Sequence, residues 1–561
     1  MSLLGDQRLS LKGALLLLAA ALVILAPGLT GLPPVDRDES RYAVATTQML
    51  ATGDFVDIRF QEQPRYLQPA GVYWLQAFSA ATFTDPGSRE IWAFRLPSLT
   101  AALAAVLVTG VMTSLWFGPW TGLMAGLLLA SCMSLGFEAR IAKTDASLSA
   151  AVTIAQFAFM RVYTGAARSR WPVLIFWIAL GVGGMLKGPI ILLVVGLCAL
   201  ALALWDRSLK RLAPLQPLWG LPLALLIAAP WYVAIGLATD GDFFRVAIGD
   251  NLLHKVGTGQ QSHGGPVGYH LMGFALTFWP GALLAALAIP FAWRERARPE
   301  IRFLICWIIP AWLVFEFVST KLPHYVLPVF PAIAVLTAVA ATSPQPEGRT
   351  PWLKVLFGLF LLLWLAVSLT VSLLAPAGFW IYEARLDPVA IALAVAALVA
   401  VGVMTWRVFA GRPDQAVLAG AVAAAVVALN TYGLGLPRLE ALWLSPQIAQ
   451  AARTAVPACA QPQIISAPYH EPSLVFLNGP ETTHLTGTPE AAAEALAQAQ
   501  ACGVAVIGAA QRDAFLRQAA TLGLAPRATG LVAGQNYSDG EDLALALFVA
   551  TPDGGPPAVA P

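Results

Sequence analysis

Charge is what this chain has least of. Asp, Glu, Lys and Arg make up 12% of its 561 residues against 58% hydrophobic side chains, which leaves too little polar surface to cover one soluble core. An excess of one sign is missing too: 34 Lys and Arg stand against 32 Asp and Glu, and the basic residues neither gather in one patch nor alternate with aromatics, which excludes nucleic acid as a partner. Cysteine is scarce at five, and Cys132, Cys198 and Cys306 fall inside apolar runs, where they read as inert small apolar residues.

Apolar length is abundant. At about 20 residues per crossing, thirteen stretches qualify, near 13–31, 94–115, 120–136, 146–163, 172–186, 189–205, 217–236, 270–292, 302–318, 325–342, 352–375, 389–409 and 415–436. The first follows Arg8 and Lys12. It reads as a transmembrane helix rather than a signal peptide, because no small-residue cleavage site follows cleanly and many more spans do. The prediction is a polytopic α-helical membrane protein with about thirteen transmembrane helices.

Lys and Arg concentrate in alternate loops, RVYTGAARSR (161–170), DRSLKR (206–211), WRERARPEIR (293–302), EGRTPWLK (347–354) and WRVFAGR (406–412), which assigns that side to the cytoplasm. The opposite loops are DRDESR with the segment to about residue 92, EARIAKTD (138–145), MLKGP (185–189), residues 236–269, STKLPHY (319–325) and everything after Leu436. They hold nearly all the acidic residues and histidines of the membrane part, so chemistry is expected on the outer face, periplasmic in a Gram-negative cell. The expected domains are a transmembrane unit over 1–436 with outer-face catalytic loops and a small periplasmic α/β unit over 437–561. In the second, QIISA (463–467), SLVFL (473–477), VAVIG (504–508) and LALALFVA (543–550) read as strands, and 489–500 and 511–523 as helices. Cys459 and Cys502, each just before a predicted strand, are expected to pair.

DRDESRYA, residues 36–43, sets a run of charge against the end of the first span. One such cluster is a common solvated boundary. Recurrence points to more: Arg140, Lys143 and Asp145 stand at another span edge, Lys187 interrupts an apolar run, and Lys321 and His324 flank Pro323. Charge that partly enters a bilayer is costly, so examples repeated at one level indicate a shared polar cavity, and carboxylates beside basic groups at a lipid surface suit a phosphorylated lipid. Blander roles compete for several residues. Asp145 can belong to a helix cap with Thr144, and Lys187 and Lys321 can snorkel. His254, His263 and His270 are spaced by nine and seven residues and match no tight metal-ligand pair. Glu316, inside a span, is a candidate by cost alone, and NYS (536–538) reads as a turn.

DRDESRYAVATTQMLATGDFV followed by QPRYLQPAGVYWLQAF resembles the first outer loop of bacterial members of the protein mannosyltransferase superfamily, typified by the aminoarabinose lipid A transferases. RIAKTDASL, LKGPI, GQQSHGGPVGYHLMGFALTFWPG and STKLPHYVLPVFPAIAVL are similar to that family in the same order, and the resemblance covers residues 1 to about 436. It implies a glycosyltransferase C-type fold and an enzyme that moves a sugar from a polyprenyl phosphate to an acceptor at the outer face of the inner membrane. Lipid A or another lipopolysaccharide component is the first acceptor and protein hydroxyls the second; a lipid-linked sugar transporter is the alternative without catalysis.

The resemblance puts Asp38 at the catalytic acidic position and Arg41 at the phosphate-contacting one, and residues three apart on a helix share a face. Asp145 is the second catalytic candidate. Glu39, Gln68, Tyr73, His263, His324 and Tyr325 are the candidate substrate-binding residues. The chain departs from the family where Glu-Lys-Pro-Pro becomes Leu67-Gln68-Pro69-Ala70. Leu67 cannot ligate a metal, so no cofactor follows from the sequence and a divalent metal is left open. The cation lost at Gln68 is expected from Arg65, Lys187 or Lys321, which with Arg41 make up the donor-phosphate set.

Overall fold

The computed structural model describes residues 8–247, 249, 264–344 and 351–550. Among the described residues, seven helices are long and apolar enough to cross a membrane, or eight if the pair Tyr269–Thr277 and Ala282–Arg294, bent by 120°, is one span. With the shorter apolar helices and Pro299–Phe317, a helix or broken helix lies on every stretch expected from the sequence. The chain is a multi-pass helical membrane protein.

The part that builds the site runs through α1 (Leu11–Leu25), α2 (Asp38–Thr52), α3 (Gly71–Phe83), α4 (Ile91–Phe117), α5 (Pro119–Ser131), α6 (Met133–Glu138) and α7 (Asp145–Tyr163). Gly118 at φ 88° separates α4 from α5, so the two fold back on each other. They touch through glycine: a Cβ on Gly122 would lie 2.4 Å from the Gly110 carbonyl oxygen, and Leu17 of α1 fills the space beside both Gly110 and Gly126. Small residues at such crossings let apolar helices approach closely, as lipid-exposed helices must when no hydrophobic force drives them together. The polar sequence of α2, DESRYAVATTQMLAT, does not suit a span.

Beyond the bundle lies the small α/β unit. Its five strands run in the order Thr483–Leu485, Gln463–Ala467, Gly503–Gly508, Glu541–Val549, Arg527–Asn536, the first three parallel and the last two antiparallel. Alternation along the strands sends Ile464, Val504 and Val506 to one face, under the helix Leu444–Ala455, and Ile465, Ala505 and Ile507 to the other, under Pro489–Ala499 and Arg512–Thr521. Cys459 and Cys502 form a disulfide. One expected strand is corrected: SLVFL belongs to the helix Pro472–Asn478, since a short apolar run has no periodicity of its own and Pro472 starts a helix as readily as it breaks a strand. Val475 and Phe476 of that helix join Ala43, Val44, Ala80, Phe94 and Ala142 in one apolar cluster, with the Phe94 and Phe476 rings edge to face at 5.4 Å. The α/β unit and α2 therefore share a core.

Candidate functional site

Asp38 is the first residue of α2 and Arg41 follows one turn later, on the same side. The chain enters α2 through Arg37, a non-glycine residue at φ 64°. That turn is closed from behind, where the Ser40 N–H and hydroxyl both donate to the Val35 carbonyl. Asp38 itself is half exposed, its side chain 54% accessible. Glu39 faces the other way, and here the sequence expectation is corrected. Its carboxylate is fully buried and takes two parallel hydrogen bonds from Arg95, at 2.8 and 2.7 Å, plus the N–H groups of Val35 and Ala142 at 2.8 Å each. With both oxygens so engaged, Glu39 has no lone pair aimed at a substrate; it fixes the loop. Arg95 was not singled out in the sequence, because a lone Arg near the start of a span looks like a snorkelling boundary residue.

Lys143 stands at the centre of the acidic groups. Its ammonium lies 3.9 Å from Asp38, 3.7 Å from Glu138 and 3.8 Å from Asp145. Asp145 also accepts from Lys187 at 2.5 Å and lies 3.7 Å from His324 Nε2, while His324 Nδ1 is 3.4 Å from Glu138. Tyr325 borders the group, its ring edge to face with His324 and 5.7 Å from the Lys187 ammonium. The structure thus gathers Asp38, Asp145, Lys187, His324 and Tyr325 from four separate segments. Glu138 is the member that sequence reading passed over. Both its carboxylate oxygens are buried without a hydrogen bond, and burial pushes the group up to about 7.

Beside this network is a cationic pair. Arg65 is buried, donates from Nε to the Tyr73 hydroxyl at 3.2 Å, and stacks its guanidinium 4.9 Å over the Tyr42 ring. Burial, and next the charge of Arg65, lower the Arg41 guanidinium from its usual value. Among the described residues neither Arg41 nor Arg65 has a carboxylate within ion-pair distance. Two neighbouring guanidiniums, neither held in an ion pair, make a ready anion site. Tyr73 is corrected from a substrate contact to the support of Arg65, since it is completely buried. Gln68 is half-buried and Leu67 43% exposed. Lys321 is also corrected: its ammonium is buried and donates to the carbonyls of Gly265 and Val318 at 2.8 Å each, which makes it a loop tie. His263 and His254 lie outside the described residues. His270 is buried beside Glu316, its Nδ1 3.6 Å from the carboxylate.

Glu138, Asp145 and His324 offer ligand atoms within 4.8 Å of one another, a donor set that could hold a cation. The surroundings fit such an ion poorly. Lys143 and Lys187 already bring two ammonium groups to the same carboxylates, so a divalent ion would add unbalanced positive charge. The group as built is an ion-paired network.

Residues 14–239 match the family described as dolichyl-phosphate-mannose-protein mannosyltransferase. Among curated relatives, the undecaprenyl phosphate-alpha-4-amino-4-deoxy-L-arabinose arabinosyl transferase of Aeromonas salmonicida is 30% identical over 342 residues, 59% of this chain and 61% of the relative. The protein of that name from Yersinia pestis is 29% identical over 57% of each chain. The match thus spans less than two thirds of these relatives' length. Among solved structures, ArnT from Cupriavidus metallidurans bound to undecaprenyl phosphate superposes with a TM-score of 0.72 at 21% identity, covering 96% of this chain and 98% of that one. The Archaeoglobus fulgidus oligosaccharyltransferase in its apo form reaches 0.50 at 12% identity, over 88% and 69%. The fold is that of a membrane glycosyltransferase, and the resemblance carried by the motifs holds: the chain is similar to the protein mannosyltransferase superfamily and, within it, to the aminoarabinose transferases.

Proposed function

We propose that the chain transfers a sugar from a polyprenyl-phosphate donor to an envelope acceptor, lipid A or another lipopolysaccharide component, at the periplasmic face of the inner membrane. The observation that carries this reading is the half-exposed Asp38, 3.9 Å from the Lys143 ammonium and near enough to Arg41 and Arg65 for its charge to act on both guanidiniums. Arg41 and Arg65 hold the lipid phosphate and stabilise the charge that it gains as the bond to the sugar breaks. Asp38 orients the acceptor oxygen and takes its proton when that oxygen is a hydroxyl; a phosphate acceptor is already anionic and needs orientation alone. Asp145, held by Lys187, Lys143 and His324, keeps the charged group beside Asp38 ordered. The names of the relatives and the undecaprenyl phosphate in the Cupriavidus structure supply the donor class, and the one-sided basic loops support the orientation. In this reading residues 1–436 form the transfer unit and 437–561 the outer α/β unit.

The family description favours protein hydroxyls as a second acceptor class. Mass spectrometry of envelope lipids and of periplasmic proteins, from cells with wild-type chain and with Asp38→Asn, separates the two. A sugar lost from lipid A supports the first reading and one lost from protein the second. Unchanged lipids and proteins with Asp38→Asn present at wild-type levels would remove Asp38 from the catalytic role.

A further inference from the structure

The turn that presents Asp38 is not held by the membrane helices alone. The Asp36 N–H donates to the Tyr537 hydroxyl at 2.7 Å. The Ser473 N–H donates to Asp36 Oδ1 at 3.1 Å, and Glu471 lies 3.6 Å from the Arg37 guanidinium. Glu471 is in turn fixed by Asn536, whose Nδ2 donates to Oε1 at 3.1 Å. All four of these partners, Glu471, Ser473, Asn536 and Tyr537, belong to the α/β unit, more than 400 residues away along the chain. Asn536 and Tyr537 are the first two residues of the NYS segment read from the sequence as a plain turn. A turn it is, but one aimed at residues 36 and 37.

What these contacts hold is a conformation the chain does not favour by itself. Arg37 sits at φ 64° and ψ −111°, outside the regions that a residue with a Cβ readily adopts. Such a backbone persists only where its surroundings over-determine it. The two residues before α2 are fixed through the Asp36 N–H, the Asp36 carboxyl and the Arg37 side chain. Asp38 follows directly, with its own side chain left exposed.

We infer that Glu471, Ser473 and Tyr537 of the α/β unit are positioning residues for the transfer site, holding the Asp36–Arg37 turn so that Asp38 meets the acceptor at the correct place. This rests on the transferase reading for its chemical consequence but not for its structural one, and the two are tested separately. The full chain is reconstituted in lipid nanodiscs as wild type, Tyr537→Phe and Glu471→Gln. Tyr537→Phe keeps the ring that packs edge to face on Trp443 at 5.6 Å. Amide hydrogen exchange over residues 35–41 should quicken in both variants, while exchange in the strand Gln463–Ala467 stays as in wild type. Unchanged exchange over 35–41 overturns the inference, whatever the activity. With undecaprenyl-phosphate aminoarabinose and lipid A as probes, kcat should fall about tenfold or more with little change in donor KM, as expected when a reacting group is slightly misplaced. Quickened exchange without any change in kcat overturns the positioning role. A wild-type chain that transfers no sugar to lipid A or protein counts against the transferase reading, and the exchange measurement still decides whether the α/β unit holds the turn.

Discussion

Arg95 and Glu39 meet as a fully buried two-pronged ion pair directly beneath the turn that carries Asp38. The remaining donors of Arg95 go to the carbonyls of Leu29, Leu32 and Pro33, so one guanidinium ties the whole connection between the first span and α2. Removing one partner leaves the other charged and buried, which costs about 3–5 kcal/mol. Glu39→Gln and Arg95→Leu should therefore lower the unfolding temperature and the membrane yield. A well-folded Glu39→Gln protein that has lost only acceptor affinity would return Glu39 to the substrate-binding set.

Arg41 and Arg65 should share the donor phosphate. A hydrogen bond to a charged group contributes about 1.5–3 kcal/mol, so replacing either Arg should weaken undecaprenyl phosphate binding by roughly tenfold or more. Lys keeps the charge and loses the planar fork, so Arg41→Lys should be weak as well. Gln68→Lys adds a cation three residues along the chain from Arg65 and should bind the same or tighter. Titration of the lipid phosphate by intrinsic fluorescence or calorimetry measures all three, and unaltered affinity in Arg41→Lys would refute the assignment.

Asp36 links stability to pH. Burial, and then the Glu471 charge, push its carboxyl up to about 7 from an ordinary value of 3.8, against the hydrogen bond from Ser473. Tyr469 and Arg37 complete the titratable and charged surroundings. Between those two pH values the folded chain keeps a proton that the unfolded chain releases. This part of the stability is complete below about pH 4, declines as pH rises to about 7 and is level above it. Asp36→Asn cannot ionise and still accepts from the Ser473 N–H. It should be more stable than wild type at pH 8, by on the order of 1 kcal/mol or more, with no such gain at pH 4. Thermal melts at the two pH values give the comparison, and an equal change at both would exclude Asp36 as the source.

The disulfide between Cys459 and Cys502 closes a loop with a sequence separation of 43. In the chain-entropy account such a bridge contributes about 4 kcal/mol. Cys459→Ser with Cys502→Ser should destabilise the α/β unit and, through the apolar cluster around Phe476, loosen α2 as well. Limited proteolysis would register both effects, and a variant with wild-type cleavage kinetics would show that the bridge adds nothing.

Much of the bundle could be read directly from the sequence. Span positions follow from apolar length alone, which is why every expected stretch carries a helix, even the pair bent at residues 278–281. Pairings in the site were legible only as far as spacing reaches. Asp38 and Arg41 are three residues apart and needed no fold to bring them together. Arg95 and Glu39 are 56 apart, and Lys143 joins acids at 38, 138 and 145, so only the folded chain assigns their roles. Glu138 resembled a loop acid because nothing local marks a carboxylate that ends up sealed from solvent. SLVFL failed for another reason, since five apolar residues suit a buried strand and a buried helix equally well.

Phe476 against Phe94 also sets an order of events during synthesis. A ribosome makes residues 36–41 within the first tenth of the chain, but the side chains that complete the cluster behind α2 emerge only after the last span. The early segment must therefore wait, its charged turn unsupported, until the α/β unit has been made and folded. A chain stalled or truncated after its final span would carry every group proposed to contact donor or acceptor and still lack the means to hold them in register, so incomplete copies should not engage the lipid-linked sugar pool productively.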